Sequence, residues 1–248
     1  MTSELLLGSC VDILPLLQPS SFDMIFADPP YFLSNDGITC SGGKPVSVNK
    51  GDWDKIDSLK AKHEFNRKWI HQCYRVLKPN GTIWISGTLH NIYSVGMALE
   101  EESFKILNNI TWVKTNPPPN LSCRCFTHST ETILWARKIL KHTHHTFNYT
   151  VMKTLNNDKQ MRDVWSGSLT SKKEKRFGKH PTQKPEYILE RIILASTNEG
   201  DLVLDPFCGS STTGVVCKRL QRNYIGIDIS SDYLSLSRDR ITNTQYGG

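Results

Sequence analysis

A chain of 248 residues with a formal net charge of +6 is long enough for one large α/β core with an inserted lobe, or for two small cores, and the single domain is expected. No apolar run reaches the roughly 20 residues that span a bilayer, the start Met1-Thr-Ser-Glu-Leu lacks the basic flank and long apolar core of a secretory signal, and seven cysteines without a paired framework fit reduced thiols, so a cytoplasmic protein with no membrane partner is expected. The charge is uneven: Arg137 to Lys184 carries twelve Lys and Arg against Asp158, Asp163 and Glu174, which places the basic character where a phosphate backbone would be met.

Gly8-Ser-Cys-Val-Asp12 precedes a short apolar segment, with Asp12 at a position suited to a helix N-cap. Phe22-Asp-Met-Ile-Phe-Ala27 reads as a buried strand running into Asp28-Pro29-Pro30-Tyr31. That tetrapeptide suits chemistry on a planar amine. The nitrogen on C6 of adenine is a poor nucleophile because its lone pair is delocalised into the ring. A carboxylate at Asp28 and the carbonyl of Pro29 can accept its two hydrogens and aim the lone pair at an electrophile. Consecutive prolines fix φ and carry no N–H, so no donor competes for those acceptors. Tyr31 offers a flat face on which an extruded base can stack. Taken alone, the motif could also be a rigid strand exit, the less favoured of the two readings.

Residues 33–54 are rich in Gly, Ser, Asn and Asp and read as a long loop. His63–Lys78 carries Phe65, Trp69, Ile70, Cys73, Val76 and Leu77 at helical spacing before Pro79-Asn80-Gly81 stops it, and Phe65 and Trp69 are expected in the core. Strands are expected at Thr82–Ser86, Phe104–Val113 and Thr130–Ala136, and a helix at Asn91–Glu102. Pro117-Pro118-Pro119 cannot join a sheet interior, and Arg124 beyond it is a candidate phosphate or guanine contact. Cys123 and Cys125 lie near His142, His144 and His145, but zinc wants four ligands at recognisable spacings and no second Cys pair exists, so no metal is expected. Arg137–Gly178 shows weak periodicity and reads as a variable recognition lobe.

Pro185 opens a helix bearing Ile188, Leu189, Ile192 and Ile193. Leu202–Asp205 is a buried strand entering the turn Pro206-Phe207-Cys208-Gly209-Ser210-Ser211-Thr212, followed by a helix with Val215, Val216 and Leu220 on one face. Asp228 ends the next strand, about 20 residues on, where an acidic side chain reaches ribose hydroxyls. One glycine in the turn leaves the G-x-G-x-x-G fingerprint absent, so a nucleoside without phosphates is favoured over a dinucleotide. Cys208 is read as a small turn residue and not as a nucleophile. The alternation of elements implies an α/β fold, a mostly parallel sheet with helices on both faces.

These residues together resemble the amino-methyltransferases of DNA, which move a methyl group from S-adenosyl-L-methionine (SAM) to an exocyclic nitrogen of adenine or cytosine. The catalytic motif comes first and the cofactor turn last, which resembles the permuted beta class. The resemblance implies a Rossmann-like SAM-dependent methyltransferase fold, circularly permuted. It implies a catalytic half at 1–136, a target-recognition lobe at 137–178 and a SAM-binding half at 179–248. It implies Asp28, Pro29, Pro30 and Tyr31 as catalytic residues and a cofactor pocket of Asp205, Pro206, Phe207, Gly209, Ser210, Ser211, Thr212 and Asp228. Lys179-His180-Pro181-Thr182-Gln183-Lys184-Pro185 resembles the element that carries the cofactor's methionine end, with Lys184 near its carboxylate. Asp12 stands where the family contacts the cofactor's adenine amine. The family turn reads Phe-x-Gly-x-Gly, so Ser211 departs from it and puts cofactor affinity in question.

The stretches Ala27–Asn35, Gly51-Asp-Trp-Asp54, Trp84-Ile-Ser-Gly87, Asn116–Ser122 and Phe126–Glu131 are similar to the second adenine methylases of Dpn-type restriction-modification systems. That resemblance implies methylation of adenine in GATC and leaves single strands open beside duplex DNA. It leaves a homodimer open and makes a restriction endonuclease a partner within the system, not a bound subunit. Cytosine N4 methylation shares the architecture but commonly has Ser in place of Asp28; protein or RNA amino-methylation more often has Asn. A non-catalytic DNA-binding module has only Ser211 in its favour, and the missing glycines disfavour a nicotinamide oxidoreductase.

Overall fold

The continuous apolar runs become the central strands of one eight-stranded sheet. The computed structural model describes residues 2–32, 38–41, 44–47, 58–178 and 180–245. The strands are β1 (Ser3–Leu7), β2 (Phe22–Ala27), β5 (Leu77–Gly87), β6 (Phe104–Lys114), β7 (Thr130–Lys138), β8 (Val164–Gly167), β9 (Leu202–Asp205) and β10 (Asn223–Asp228), in the order β1-β10-β9-β2-β5-β7-β6-β8. All neighbours are parallel except β7, which runs antiparallel to β5 and β6. Within the expected 33–54 loop, β3 (Ile38–Ser41) and β4 (Lys44–Ser47) form a separate antiparallel pair. The Gly51-Asp-Trp-Asp54 stretch and Lys179 lie outside the described residues.

Helices α1 (Cys10–Ile13), α2 (Leu59–Val76) and α3 (Ile92–Glu101) cover one face, and α4 (Tyr149–Leu155), α5 (Glu186–Ser196), α6 (Thr212–Arg219) and α7 (Ser231–Thr242) cover the other. Strand β2 shows why its sequence is apolar without alternation. Met24 and Phe26 pack into the core under α5 and α6, whereas Ile25 and Ala27 pack into the core under α2 and α3, as expected for a parallel strand buried on both sides.

Ser58 caps α2, its Oγ accepting the Ala61 N–H at 3.1 Å. The helix ends at Val76, two residues before the expected end. Leu77 is already extended and pairs with Phe22; Lys78, preceding Pro79, is sterically biased against helix. The 137–178 segment contains α4 and β8, which its weak periodicity does not disclose. β8 has four residues and one buried side chain, Trp165, too few for an alternation to register. Trp165 joins the main core beside Trp84, which stacks on Trp135 with ring centroids 4.8 Å apart.

Candidate active site

In a parallel sheet the side chains able to meet a ligand gather beyond the carboxyl ends of the strands. Here Gly8 follows β1, Asp28 follows β2, and Asp205 and Asp228 end β9 and β10. All four line one cavity of about 390 Å³, within the size range of small-molecule sites.

At one end of the cavity Asp228 is fixed by two backbone donors: Gly209 N–H to Oδ2 and Ser230 N–H to Oδ1, both 2.9 Å. Gly209 has φ +52°, and a Cβ there would sit 2.9 Å from His180 Nε2, so this position favours glycine. Asp205 accepts from Thr213 Oγ1 at 2.5 Å and from the Phe207 N–H at 3.1 Å. Burial pushes its carboxyl up to about 7 against those hydrogen bonds. Buried Arg240 donates to the Ser210 carbonyl at 2.5 Å and to Thr212 Oγ1 at 3.1 Å, pinning the turn from behind.

Ser211 adopts the left-handed region, φ 49° and ψ 49°. Its side chain is fully buried, its Oγ accepts from the Tyr224 hydroxyl at 3.1 Å, and it is absent from the cavity lining. Asp12 is exposed on α1 and also off the lining, where Gly8, Ser9 and Cys10 stand instead. The chain geometry thus brings Asp205, Pro206, Phe207, Gly209, Ser210, Thr212 and Asp228 to one wall and leaves Ser211 and Asp12 off it.

At the other end stand Asp28, Pro29, Pro30 and Tyr31. The Tyr31 hydroxyl donates to Asp28 Oδ1 at 2.6 Å, orienting both groups. Asn91 Nδ2 donates to the Pro30 carbonyl at 3.0 Å, and no donor among the described residues meets the Pro29 carbonyl. Lys184, expected at the cofactor's carboxylate, has its ammonium 2.5 Å from Asp28 Oδ2 and 3.0 Å from the Tyr31 hydroxyl. Glu131 Oε2 lies 3.4 Å from the same ammonium, and Lys114 pairs with Glu131 Oε1 at 2.6 Å. All four charges are largely buried. Burial pushes the Asp28 carboxyl above the ordinary aspartate range, opposed by Lys184 and assisted by Glu131. Burial works against the Lys184 ammonium, yet Asp28 and Glu131 hold it well above the usual lysine value. Glu131 is lowered, because Lys184 and Lys114 outweigh its burial.

Several lining or adjoining residues escape sequence reasoning. Phe65 packs partly buried against the core, as expected, and also lines the cavity against Phe207, while Trp69 is fully buried as expected. His180 and Tyr233 meet edge to face at 4.4 Å on the lining. Glu131 and Lys114 are single charges at strand ends, legible only once β6 and β7 pair. Of the two thiols on the lining, burial pushes Cys10 up to about 12 and Cys208 well above its ordinary value, which disfavours either as a thiolate.

The cavity fits a nucleoside carrying an amino-acid tail better than a phosphorylated one. Among the described lining residues the basic side chains are His180 and Lys184, and Lys184 is committed to Asp28; a pyrophosphate would lack a counter-charge. Beyond the site, the connection 115–129 and the segment after β8 leave the sheet at the same edge, since Lys114 and Gly167 are register partners. Arg124, Lys172, Lys173 and Arg176 are exposed there.

Comparison with known proteins places this arrangement. A family model described as DNA methylase, of N6 and N4 methyltransferases, matches residues 22–239. The Type II methyltransferase M2.DpnII of Streptococcus pneumoniae is 72% identical over 225 residues, covering 91% of this chain and 84% of that protein. The Type II methyltransferase M2.MboI of Moraxella bovis is 57% identical over 233 residues, covering 94% and 85%. The crystal structure of an M1.HpyAVI–SAM complex superposes with a TM-score of 0.70 at 30% identity, covering 97% of this chain and 99% of that one. The cytosine-N4-specific PvuII DNA methyltransferase gives 0.74 at 19% identity, a likeness of fold.

Proposed function

The chain belongs to the DNA methylase family of N6 and N4 methyltransferases, and from that premise we propose that it is a site-specific adenine N6-methyltransferase acting on GATC within a restriction-modification system. The observation that carries this reading is one cavity joining the fixed Asp228 carboxylate at one end to Asp28 and the Pro29 carbonyl at the other. Aspartate at position 28, where serine would suit cytosine, favours adenine.

S-adenosyl-L-methionine, when bound, supplies an activated methyl group. Asp228 would accept from its ribose hydroxyls, Gly209 leaves room for close approach, and Phe207 and Phe65 give apolar walls. The target base leaves its stack at a cost of about a few kcal/mol and packs on Tyr31, whose ring is oriented by its bond to Asp28. Asp28 accepts one amine hydrogen and the Pro29 carbonyl the other, which holds the nitrogen lone pair toward the cofactor end. Asp28 then stabilises the positive charge that develops on nitrogen, and the surplus proton leaves to that carboxylate or to water.

Among the described residues no helix is long and apolar enough to cross a membrane, and the reading assigns the protein to the cytoplasm. DNA meets the edge carrying Arg124, Lys172, Lys173 and Arg176. The 137–178 segment supplies target recognition between the catalytic half, 1–136, and the SAM-binding half, 179–248. A homodimer is part of the proposal and is checked by sedimentation of the free protein. The endonuclease of the system acts on the same site without being a subunit.

The deciding experiment is transfer of labelled methyl from SAM to duplex and single-stranded oligonucleotides with and without GATC, with product nucleosides identified. N6-methyladenine confined to GATC oligonucleotides is expected; N4-methylcytosine or methylation elsewhere would overturn the substrate reading. Asp28→Ala is expected to lower transfer by at least about 10³-fold while SAM binding stays within about twofold, because the lost contact is made at the reacting amine.

A further inference from the structure

Both oxygens of Asp28 are taken in the free protein, Oδ1 by the Tyr31 hydroxyl and Oδ2 by the Lys184 ammonium. Each oxygen keeps a second lone pair, but an amine hydrogen approaching Oδ2 must share it with an ammonium 2.5 Å away, and a cation so close opposes the positive charge that develops on the amine nitrogen. A displaced buried ammonium needs another acceptor, or the full cost of an unpaired charge falls on the complex. Glu131 Oε2 supplies that acceptor. It is buried, makes no hydrogen bond among the described residues, and stands 3.4 Å from Lys184. Lys114 holds the other oxygen of Glu131 at 2.6 Å and so fixes the carboxylate in place.

We propose that Lys184 is a placeholder for the substrate amine on Asp28 Oδ2, and that Glu131, braced by Lys114, receives it when the amine arrives. The inference rests on the amine-methylating role of Asp28. Glu131 and Lys114 touch no substrate and are positioning residues. The exchange keeps the count of buried charges constant, two carboxylates and two ammoniums, with Lys184 protonated throughout. It also moves the nearest cation away from a nitrogen about to become positive, which favours the transition state over the free enzyme.

The arrangement makes signed predictions. The charged and titratable groups facing Asp28 are Tyr31 of its own loop, Lys184 before α5, Glu131 of β7 and Asp205 of β9, with Lys114 of β6 behind Glu131. Glu131→Gln removes a negative neighbour and leaves Lys184 wholly to Asp28, so the Asp28 carboxyl titrates at lower pH. Lys114→Met strips Glu131 of its counter-ion, Glu131 draws Lys184 harder, and Asp28 titrates at higher pH. The negative charge that would receive the ammonium is lost only in Glu131→Gln, whose kcat should fall roughly 10- to 100-fold while SAM affinity stays unchanged.

The test is a carbon-13 NMR titration of protein labelled at the aspartate carboxyls, with Asp28 assigned by Asp28→Asn, beside kcat against pH for wild type and both variants. Opposite displacements of the Asp28 titration, followed by the acid limb of kcat, are expected. Displacements of one sign, or none, in folded variants of an active enzyme would overturn the placeholder role. Should Glu131→Gln not fold, Glu131→Gln/Lys114→Met removes a neutral pair as a unit and carries the same expectation of a lowered Asp28 titration. Opposite displacements in the two variants, with a wild-type protein that methylates no DNA, would instead sink the proposed function, and with it the placeholder role, leaving a structural ion network.

Discussion

Ser211 shows how a single departure from a family pattern is misread without coordinates. A glycine in that turn permits close approach of a ligand, so serine puts cofactor affinity in question. In the fold, the serine side chain turns away from the cavity and takes the Tyr224 hydroxyl. Two terms then oppose each other: a non-glycine left-handed conformation costs about 1–2 kcal/mol, and an unsatisfied buried hydroxyl costs about 1–3 kcal/mol. Ser211→Gly should therefore be nearly neutral in the wild-type background. In Tyr224→Phe, where the hydroxyl is already gone, it should stabilise by about 1 kcal/mol. Denaturant unfolding of the four proteins reads this coupling, and SAM affinity should not change in any of them. Asp205 gives a pH signature of the same locality. Its folded pKa, about 7, lies above the unfolded value near 4, so the native state binds the extra proton. The contribution of this group to stability is then fully present below pH 4 and is lost as pH rises through about 7. Asp205→Asn should flatten that decline and leave the protein more stable than wild type at pH 8; an unchanged slope in thermal melts between pH 4 and 8 would refute the shift.

The elements were legible where their apolar residues run unbroken into a turn signal. Strand β2 with Asp28-Pro29-Pro30-Tyr31, and the β9 turn with its following helix, are spelled out by apolar runs ending in small or rigid residues, so the two walls of the site are readable in the sequence. The join between them is not. Lys184 sits 156 residues from Asp28, and Glu131 reaches Lys184 only because β7 inserts antiparallel between β5 and β6; no local pattern encodes such a meeting. The same holds for β8, a four-residue edge strand anchored by Trp165. Trp165 fills the core beside Trp84, and the Arg191 guanidinium lies 4.8 Å from its ring. Trp165→Ala should cost about 3–5 kcal/mol by leaving a cavity. It should also free the segment that follows β8, so DNA affinity should fall while SAM affinity, which the proposed reading assigns to the ends of β9 and β10, holds. Equal loss of both would mean that the strand supports the whole core and not the DNA edge.

At the scale of the molecule, the division of labour follows charge. The basic surplus lies between Arg137 and Lys184, while the described lining of the cavity is rich in carboxylates and apolar side chains, with the Lys184 ammonium neutralised. Affinity for DNA and affinity for a cofactor should therefore answer to different variables. Phosphate contacts release condensed cations, so the logarithm of DNA affinity falls linearly with the logarithm of salt concentration, by about 0.9 for each phosphate neutralised. Replacing Lys172, Lys173 and Arg176 together with glutamine should lower that slope by about 3 if each meets a phosphate. Because the three are exposed, the loss should fall alike on GATC and unrelated duplexes, and SAM binding should stay insensitive both to the substitutions and to salt. Loss confined to GATC duplexes, measured by anisotropy across a salt series, would instead move these side chains from the phosphate backbone to the base edges.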